Sequence, residues 1–565
     1  MFQGEVRYCA ARLPAPPPQI SYALNHSGAS VLIVHRDRLA ELEEAGLLNG
    51  LPMVLVVGDE AAGAGYREFD GFVSRPSSAA LPTDHADNDL SVMIYTSGTT
   101  SRPKGVTLTR GAMSEGIRKY LAWVPLTEED VTLIAAPVTR PMALRSQLLP
   151  ILHVGGRVCL IERFSVTDYL AALRRPPAKT FLALLPSALG HLLEHPGFRS
   201  CDFSALQLCI AGGDRVAPHL HEAFVEVSGV SLAEQCGASE TGFYAMNPPR
   251  GRKKQGSVGL PMYGVQVCIV DAQGEDVKSG TTGEITVSSP MMMEGYWNDT
   301  ALTRKTIRSG RVHTGDLGRF DEDGFLWFMG RKKDVIVRGG SNISPMEVES
   351  VLLEHPAVAE ACVIGVLDPG QGQVVHAFVV VRVGCAATEE ELDDFAVGRL
   401  AEYMLPEKFQ FLENLPLKGP GKVDRDLLRL RAEIGPLTDR VPLFRDAEGD
   451  FIRDIVPHLT CREFGSGETI LREGDRGDTM YFLTRGQVEV KAEDNTLPLN
   501  TLVEGDYFGE LAIIKDVPRL ASVRALVDCE VYELKRASVL NLMKTYPRFA
   551  EHVRQAIDSY GQVDG

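Results

Sequence analysis

Residues 95–106 read Tyr-Thr-Ser-Gly-Thr-Thr-Ser-Arg-Pro-Lys-Gly-Val. The apolar run SVMIY (91–95) has the length and composition of a buried strand, and it leads into a loop of hydroxyls and glycine that ends at Lys104. Such a loop suits a polyphosphate. Gly98 lets the backbone approach closely, the hydroxyls and N–H groups of Thr96, Ser97, Thr99 and Thr100 donate hydrogen bonds, and Lys104 adds positive charge. The spacing does not fit GxxxxGK[ST], so the loop is not of the Walker type. On composition alone, a solvated Ser/Thr turn reads equally well.

Outward from this loop, short apolar runs alternate with amphipathic stretches over residues 1 to about 330. VLIV (31–34), TLIAAP (132–137), RVCLIE (157–162), TFLALLP (180–186) and LQLCIAGG (206–213) read as buried strands, with helical patterns at Leu170 to Leu173 and Leu189 to Leu193. That alternation predicts a layered α/β domain. From Val265 to Ser289 the pattern becomes period-two with glycine turns, which predicts antiparallel hairpins. Residues 334–431 mix a helix over 345–355, strands ACVIGV and HAFVVV, and a helix over 389–403, an α+β unit. IGPLTDRVP (434–442) reads as a linker, being proline-bearing and without periodicity. The last stretch, 443–565, has short strands between glycine turns and one closing helix over 538–560, the pattern of a small antiparallel β-roll with flanking helices.

Composition narrows the function classes. The chain has 565 residues, room for about three to five domains. With 58 Lys and Arg against 75 Asp and Glu, the formal charge is −17, which argues against a nucleic-acid partner. No apolar run approaches the roughly 18 residues of a membrane span, and the N-terminus lacks the apolar centre of a signal peptide. Ten cysteines without CxxC pairs read as free thiols in a reducing, cytoplasmic setting.

YTSGTTSRPKGV resembles the phosphate loop of adenylate-forming enzymes, the superfamily of acyl-CoA synthetases, luciferases and peptide-synthetase adenylation domains. More motifs that resemble theirs follow in order. They are Ala211-Gly212-Gly213-Asp214, Gln235-Cys-Gly-Ala-Ser-Glu-Thr241, His313-Thr-Gly-Asp316, Gly330-Arg-Lys-Lys-Asp334 with GGSNISPMEVE (339–349), and Pro416-Leu-Lys-Gly-Pro-Gly-Lys422-Val-Asp-Arg425. MMEGYWND (292–299) and HPAVAEACVIGV (355–366) resemble the CoA-ligase branch. The resemblance implies a large adenylate-forming domain over 1–332, a small mobile α+β domain over 333–432, a linker over 433–442 and a further domain over 443–565.

It also implies roles. A carboxylate and ATP give an acyl adenylate and pyrophosphate, and a thiol then attacks the acyl group. Both steps build negative charge, so cations and fixed donors are needed. Lys104 and Thr96 to Thr100 would hold the phosphates. Gly212, Gly213, Asp214, Cys236, Gly237 and Ser239 would line the adenine site. Glu240 would hold Mg²⁺, a cation that prefers carboxylate and phosphate oxygens. Asp316 would accept from the ribose hydroxyls, with Arg331 beside it. Lys422 would bridge the substrate carboxylate and the α-phosphate, and Lys333 would be the hinge. CoA is the implied acceptor, with a carrier protein as the alternative.

Several positions depart from the family pattern. Ser101 stands for a glycine, Cys236 for the aromatic residue that stacks on adenine, Arg140 for a histidine, and Arg311 for the tryptophan before HTGD. Arg140 would be placed to pair with a second carboxylate. GEVRYCAARLP (4–14) resembles the family's GAVYVPLNPRLP, which implies a short N-terminus: either the start is misassigned, or a partner or a second copy covers the gap, or the domain is impaired. These departures leave open a degenerate scaffold that only senses nucleotide.

The final stretch carries Phe508-Gly509-Glu510-Leu511-Ala512-Ile513 and Pro518-Arg519-Leu520-Ala521-Ser522. It resembles the phosphate cassette of cyclic nucleotide-binding domains. The resemblance implies that Arg519 pairs with the cyclic phosphate, that N–H groups near Leu520 and Ala521 donate to it, and that Glu510 accepts from the ribose 2′-hydroxyl. Leu520 lacks the hydroxyl common in cGMP-selective members, which favours cAMP. The whole reads as an ATP-dependent acid–thiol ligase under cyclic nucleotide control.

Overall fold

The computed structural model describes residues 8–10, 17–58, 66–74, 86–96, 103–162, 164–213, 216–368, 370–417, 423–445, 447–492 and 499–560. The chain divides into two units, 1–333 and 334–565.

The first unit is built on a seven-stranded sheet in the order Leu260–Pro261, Gly242–Met246, Leu232–Ala238, Leu208–Gly212, Phe181–Leu184, Val131–Ile134, Arg157–Leu160. Five of these strands run parallel, and the first two pair antiparallel at one edge. Strand periodicity decides which core each side chain joins. Leu182, Leu184, Cys209 and Ala211 face the helices Val166–Arg174, Pro186–Glu194 and Pro218–Ser228. Phe181, Ala183, Leu208 and Ile210 face the other way, towards Tyr120 of the helix Arg110–Trp123. With both faces covered, Phe181–Leu184 and Leu208–Gly212 are apolar throughout, so they read as continuous runs. Local chemistry sets the helix ends. Thr109 and Ser165 cap two of them by accepting from Ala112 N and Asp168 N at 3.1 and 3.0 Å, and Gly229 stops a third at φ 71°.

A second sheet pairs Leu90–Thr96 with Lys104–Thr109, antiparallel, so that Thr96 lies opposite Lys104. Gly295–Tyr296 adds to its edge beside Val106 and Thr107. A third sheet carries Gln266–Val270 and Gly283–Ser288 as the predicted hairpin. Arg311–Phe320 follows, paired with Leu326–Arg331.

The second unit opens with a mixed sheet in the order Ser341–Ile343, Ile336–Arg338, Gly372–Val381, Val358–Asp368, with Lys408–Phe411 parallel to Gly372–Val381. The roll is two antiparallel four-stranded sheets. One is Leu459–Phe464, Cys529–Lys535, Thr479–Arg485, Tyr507–Phe508, and the other is Thr469–Leu471, Ser522–Ala525, Gln487–Lys491, Asn500–Val503.

Three expectations are corrected. The helix expected over 389–403 is Glu389–Ala396 only, because Gly398 takes φ 81° and turns the chain. Residues 434–442 are not aperiodic, since Gly435–Arg440 is helical and Ile434, Leu437 and Val441 are buried against the roll. The closing helix is two, Arg536–Thr545 and Pro547–Tyr560, broken where Pro547 supplies no N–H.

Candidate active site and nucleotide cassette

The hairpin Leu232–Ala238 to Gly242–Met246 presents Ser239, Glu240 and Thr241 at its turn. The Thr241 hydroxyl fixes that turn by accepting from Ala238 N at 3.1 Å and donating to Gly242 O at 2.8 Å. Glu240 Oε1 accepts from the Tyr296 hydroxyl at 3.0 Å. Lys104 Nζ lies 5.6 Å from the centre of the same tyrosine ring. Thus the last residue of the phosphate loop and the carboxylate expected to hold a metal meet at one aromatic side chain. Burial and the adjacent Glu240 charge push the Tyr296 phenol well above its ordinary range, so it stays a donor.

Asp316 and Arg331 face each other across neighbouring strands, Oδ1 to Nε 3.1 Å. Asp316 is partly buried and Arg331 is half exposed. Cys236 Sγ lies 2.9 Å from the hydroxyl of the fully buried Tyr244. Burial, with the Asp316 charge adding to it, pushes the Cys236 thiol up to about 12, so it is neutral there. The positions expected at the adenine follow close backbone packing. A Cβ at Gly212 would meet Gln235 O at 2.9 Å, and one at Gly237 would meet Gly242 O at 2.7 Å. Gly213 takes φ 89°. Lys333 sits in the turn Lys332–Asp334, where the two units divide. Ser97, Gly98, Thr99, Thr100, Asp214 and Lys422 lie outside the described residues.

Sequence reasoning missed three contributors. Tyr296 was visible only as part of MMEGYWND. Glu284 and Lys332, 3.2 Å apart, stand beside the HTGD strand, where Glu284 also accepts from Gly315 N at 3.2 Å. Burial raises the Glu284 pKa, but Lys332 and His313 outweigh it and hold the carboxyl below its ordinary value. Only strand pairing brings these residues together. Arg311 pairs with Asp276 at 2.7 Å, an ordinary ion pair.

In the roll, Arg519 is buried. It donates to Gly509 O and Thr479 O, both at 2.7 Å, and to the Thr479 hydroxyl at 3.0 Å. Its Nε, a donor, has no partner, and neither has Glu510 Oε2, an acceptor, although both atoms are buried. Gly509, at φ 87°, leaves no room for a Cβ, which would stand 2.9 Å from Arg519 Nη1. Leu511 is half-buried, Ala512 is buried, Leu520 is exposed and Ala521 is half-buried. A buried acceptor and a buried donor, each with capacity left over, suit a ligand that offers both a hydroxyl and an anion.

The sequence profile of the AMP-binding enzyme family matches residues 6–297, and that of the AMP-binding enzyme C-terminal domain matches 347–422. The chain belongs to the AMP-binding, adenylate-forming enzymes. The profile of the cyclic nucleotide-binding domain matches residues 461–546. Among relatives of this adenylate-forming chain, a feruloyl-CoA synthase of an Amycolatopsis species is 34% identical over 419 residues, 73% of this chain and 81% of the relative. A 2-succinylbenzoate–CoA ligase of Bacillus cereus is 34% identical over 423 residues, 73% and 86%. Among solved structures, ATP-bound MatB from Rhodopseudomonas palustris superposes with a TM-score of 0.69 at 26% identity, covering 75% of this chain and 83% of that one. The anthranilate CoA ligase AuaEII with anthranoyl-AMP gives 0.70 at 27% identity, covering 76% and 83%. No described helix is long and apolar enough to cross a membrane.

Proposed function

We propose that this chain activates a small carboxylic acid with ATP, passes the acyl group to CoA, and is controlled by a cyclic nucleotide, cAMP in preference to cGMP. The division of labour would be 1–332 for adenylation, 333–432 for the mobile small domain, 433–442 for the connection and 443–565 for the sensor. The observation that carries the reading is the meeting of Lys104 and Glu240 at Tyr296. A cation for the phosphates and a carboxylate for a metal stand together on elements far apart in sequence.

In the first half-reaction a carboxylate oxygen attacks the α-phosphorus and pyrophosphate leaves. Lys104 would neutralise charge on the departing phosphates, and Asp316 would fix the ribose. Mg²⁺ fits the site: Glu240 keeps Oε2 free of the Tyr296 bond, and a single carboxylate with phosphate oxygens is the donor set this ion takes. Bound there, the ion would offset phosphate charge. Lys422 would act at the reacting carboxylate, the role that the family resemblance implies for it. In the second half-reaction a thiol gives up its proton to solvent, its sulfur bonds the acyl carbon, and the bond from that carbon to the AMP oxygen breaks so that AMP leaves.

The sensor reading is supported by the two open atoms, Glu510 Oε2 and Arg519 Nε. Its link to catalysis is supported by the helix Arg425–Glu433. Leu428 packs on the small-domain sheet with Ile364 and Phe378, while its neighbour Leu427 packs in the roll's core with Phe451 and Ile452. Asp424 caps this helix by accepting from Leu427 N at 3.1 Å and pairs with Arg453 of the helix Gly449–Ile455. Lys422 lies two residues before that cap. An element that both sites bias is what coupling requires.

The test is ATP–pyrophosphate exchange by the purified chain with a panel of acids, with and without cAMP, with Lys422→Ala as the blank. Exchange that cAMP alters and the blank lacks is expected. No exchange with any acid, alongside nucleotide binding, would replace this reading with the scaffold. Products formed from CoA or from a phosphopantetheine carrier protein separate the two acceptors.

A further inference from the structure

Outside the nucleotide cassette, two lysine or arginine side chains are buried among the described residues, Lys179 and Arg145, and they differ in how their donors are satisfied. Lys179 is buried and donates to Arg175 O and Pro177 O at 2.8 and 2.7 Å. The partly buried Arg425 is paired with Glu349 at 2.7 Å. Arg145 is 5% exposed, and no carboxylate among the described residues stands within ion-pair distance of it. Its Nη2 donates to Met291 O at 3.1 Å, whereas its Nη1 is buried without a partner. A guanidinium stays charged at neutral pH, and an uncompensated buried charge is costly, so its retention calls for a partner.

The surroundings are shaped for the head group. Arg145 lies in the π-helical turn Met142–Leu148, a local irregularity found mostly at functional sites. Two glycines border it. A Cβ on Gly116 would meet Nη2 at 3.2 Å, and one on Gly242 would meet it at 2.9 Å. Gly242 belongs to the hairpin whose turn carries Glu240, so the guanidinium lies beside that turn. The same layer has spare polar capacity. Gln235 Nε2 donates to Ser146 Oγ at 3.0 Å, yet Gln235 Oε1 and Gln147 Oε1 are buried without partners.

We propose that Arg145 is a specificity-determining residue that binds a second carboxylate on the acid, remote from the one adenylated, so that the acids activated are dicarboxylic. This rests on the acid-activating reading of the first unit. A planar fork of donors matches a carboxylate in two parallel hydrogen bonds. A site built around a buried charged donor rejects analogues that leave it unpaired, by factors of about 100 or far more.

The test compares dicarboxylic acids of graded length, aliphatic and aromatic, with the monoamide of each, in two assays on the full chain. One is ATP–pyrophosphate exchange and the other is calorimetric binding. We expect the best diacid to exceed its monoamide by about 100-fold or more in kcat/KM, carried by KM. Arg145→Met should collapse that ratio to within a few-fold, and Arg145→Lys should restore part of it. The wild-type comparison needs no variant to fold. Equal use of diacid and monoamide by the wild type would overturn the inference. So would no diacid binding, or a parallel loss on both acids in Arg145→Met. Diacid binding that depends on Arg145 without any exchange would instead refute the ligase reading and leave the carboxylate site standing.

Discussion

Glu510 gives the sharpest prediction. It is 1% exposed, and burial, only partly opposed by a hydrogen bond from its own backbone N–H and by the Arg519 charge, pushes its carboxyl up to about 7 from an ordinary value of 4.5. Between these values the folded chain holds a proton that the unfolded chain has lost. The resulting stability is fully present below about 4.5 and is lost as the pH rises through about 7. At 1.36 kcal/mol per pKa unit, the ceiling is about 3 kcal/mol. Glu510→Gln removes the charge and keeps the shape, so it should abolish this pH dependence and stabilise the nucleotide-free roll above neutral pH. Tryptophan fluorescence will not report it, because Trp123, Trp297 and Trp327 all lie in the first unit. Hydrogen–deuterium exchange of peptides covering 507–523 will, once the intrinsic pH effect is removed. Protection there should fall between pH 5 and pH 8 in the wild type and stay level in Glu510→Gln. The same slope in both proteins, or a wild type weakened on the acid side, would refute the reasoning.

Other variants test separate contacts. Tyr296→Phe removes the hydrogen bond to Glu240 while keeping the ring beside Lys104, and should weaken Mg·ATP use by about 1 kcal/mol, read as a several-fold rise in KM. Arg453→Met strips the partner from the buried Asp424 and should cut the response of exchange to cAMP while the rate without cAMP persists; an undiminished response would show that the link runs elsewhere. Leu427→Ala empties a site in the core shared by the helix Arg425–Glu433 and the roll, and should cost about 2–4 kcal/mol, measured by denaturation of the second unit.

Legibility in the sequence followed the range of the interactions. The runs at 181–184 and 208–212 were readable because both faces of those strands are buried. Glu510 and Arg519 of the cyclic nucleotide-binding domain were readable because they fall in one short stretch. The stretch 434–442 was misread because Gly and Pro stand at the start of a short helix whose stability comes from burying Leu437, not from its own periodicity. Tyr296 and Glu284 were silent because neither residue type nor spacing marks them; strand pairing alone brings them to Lys104 and Asp316.

By itself, the sequence determined the family, the order of the motifs and the chemistry that each motif is suited to, because ordered short motifs carry that information without coordinates. Only the tertiary structure decided which charges are matched. It pairs Asp316 with Arg331, closes Glu240 onto Tyr296, and leaves Arg145 buried with a free donor. The physical reason is that burial and compensation belong to neighbours far apart along the chain, and a charge costs little or much according to what stands beside it once water has gone.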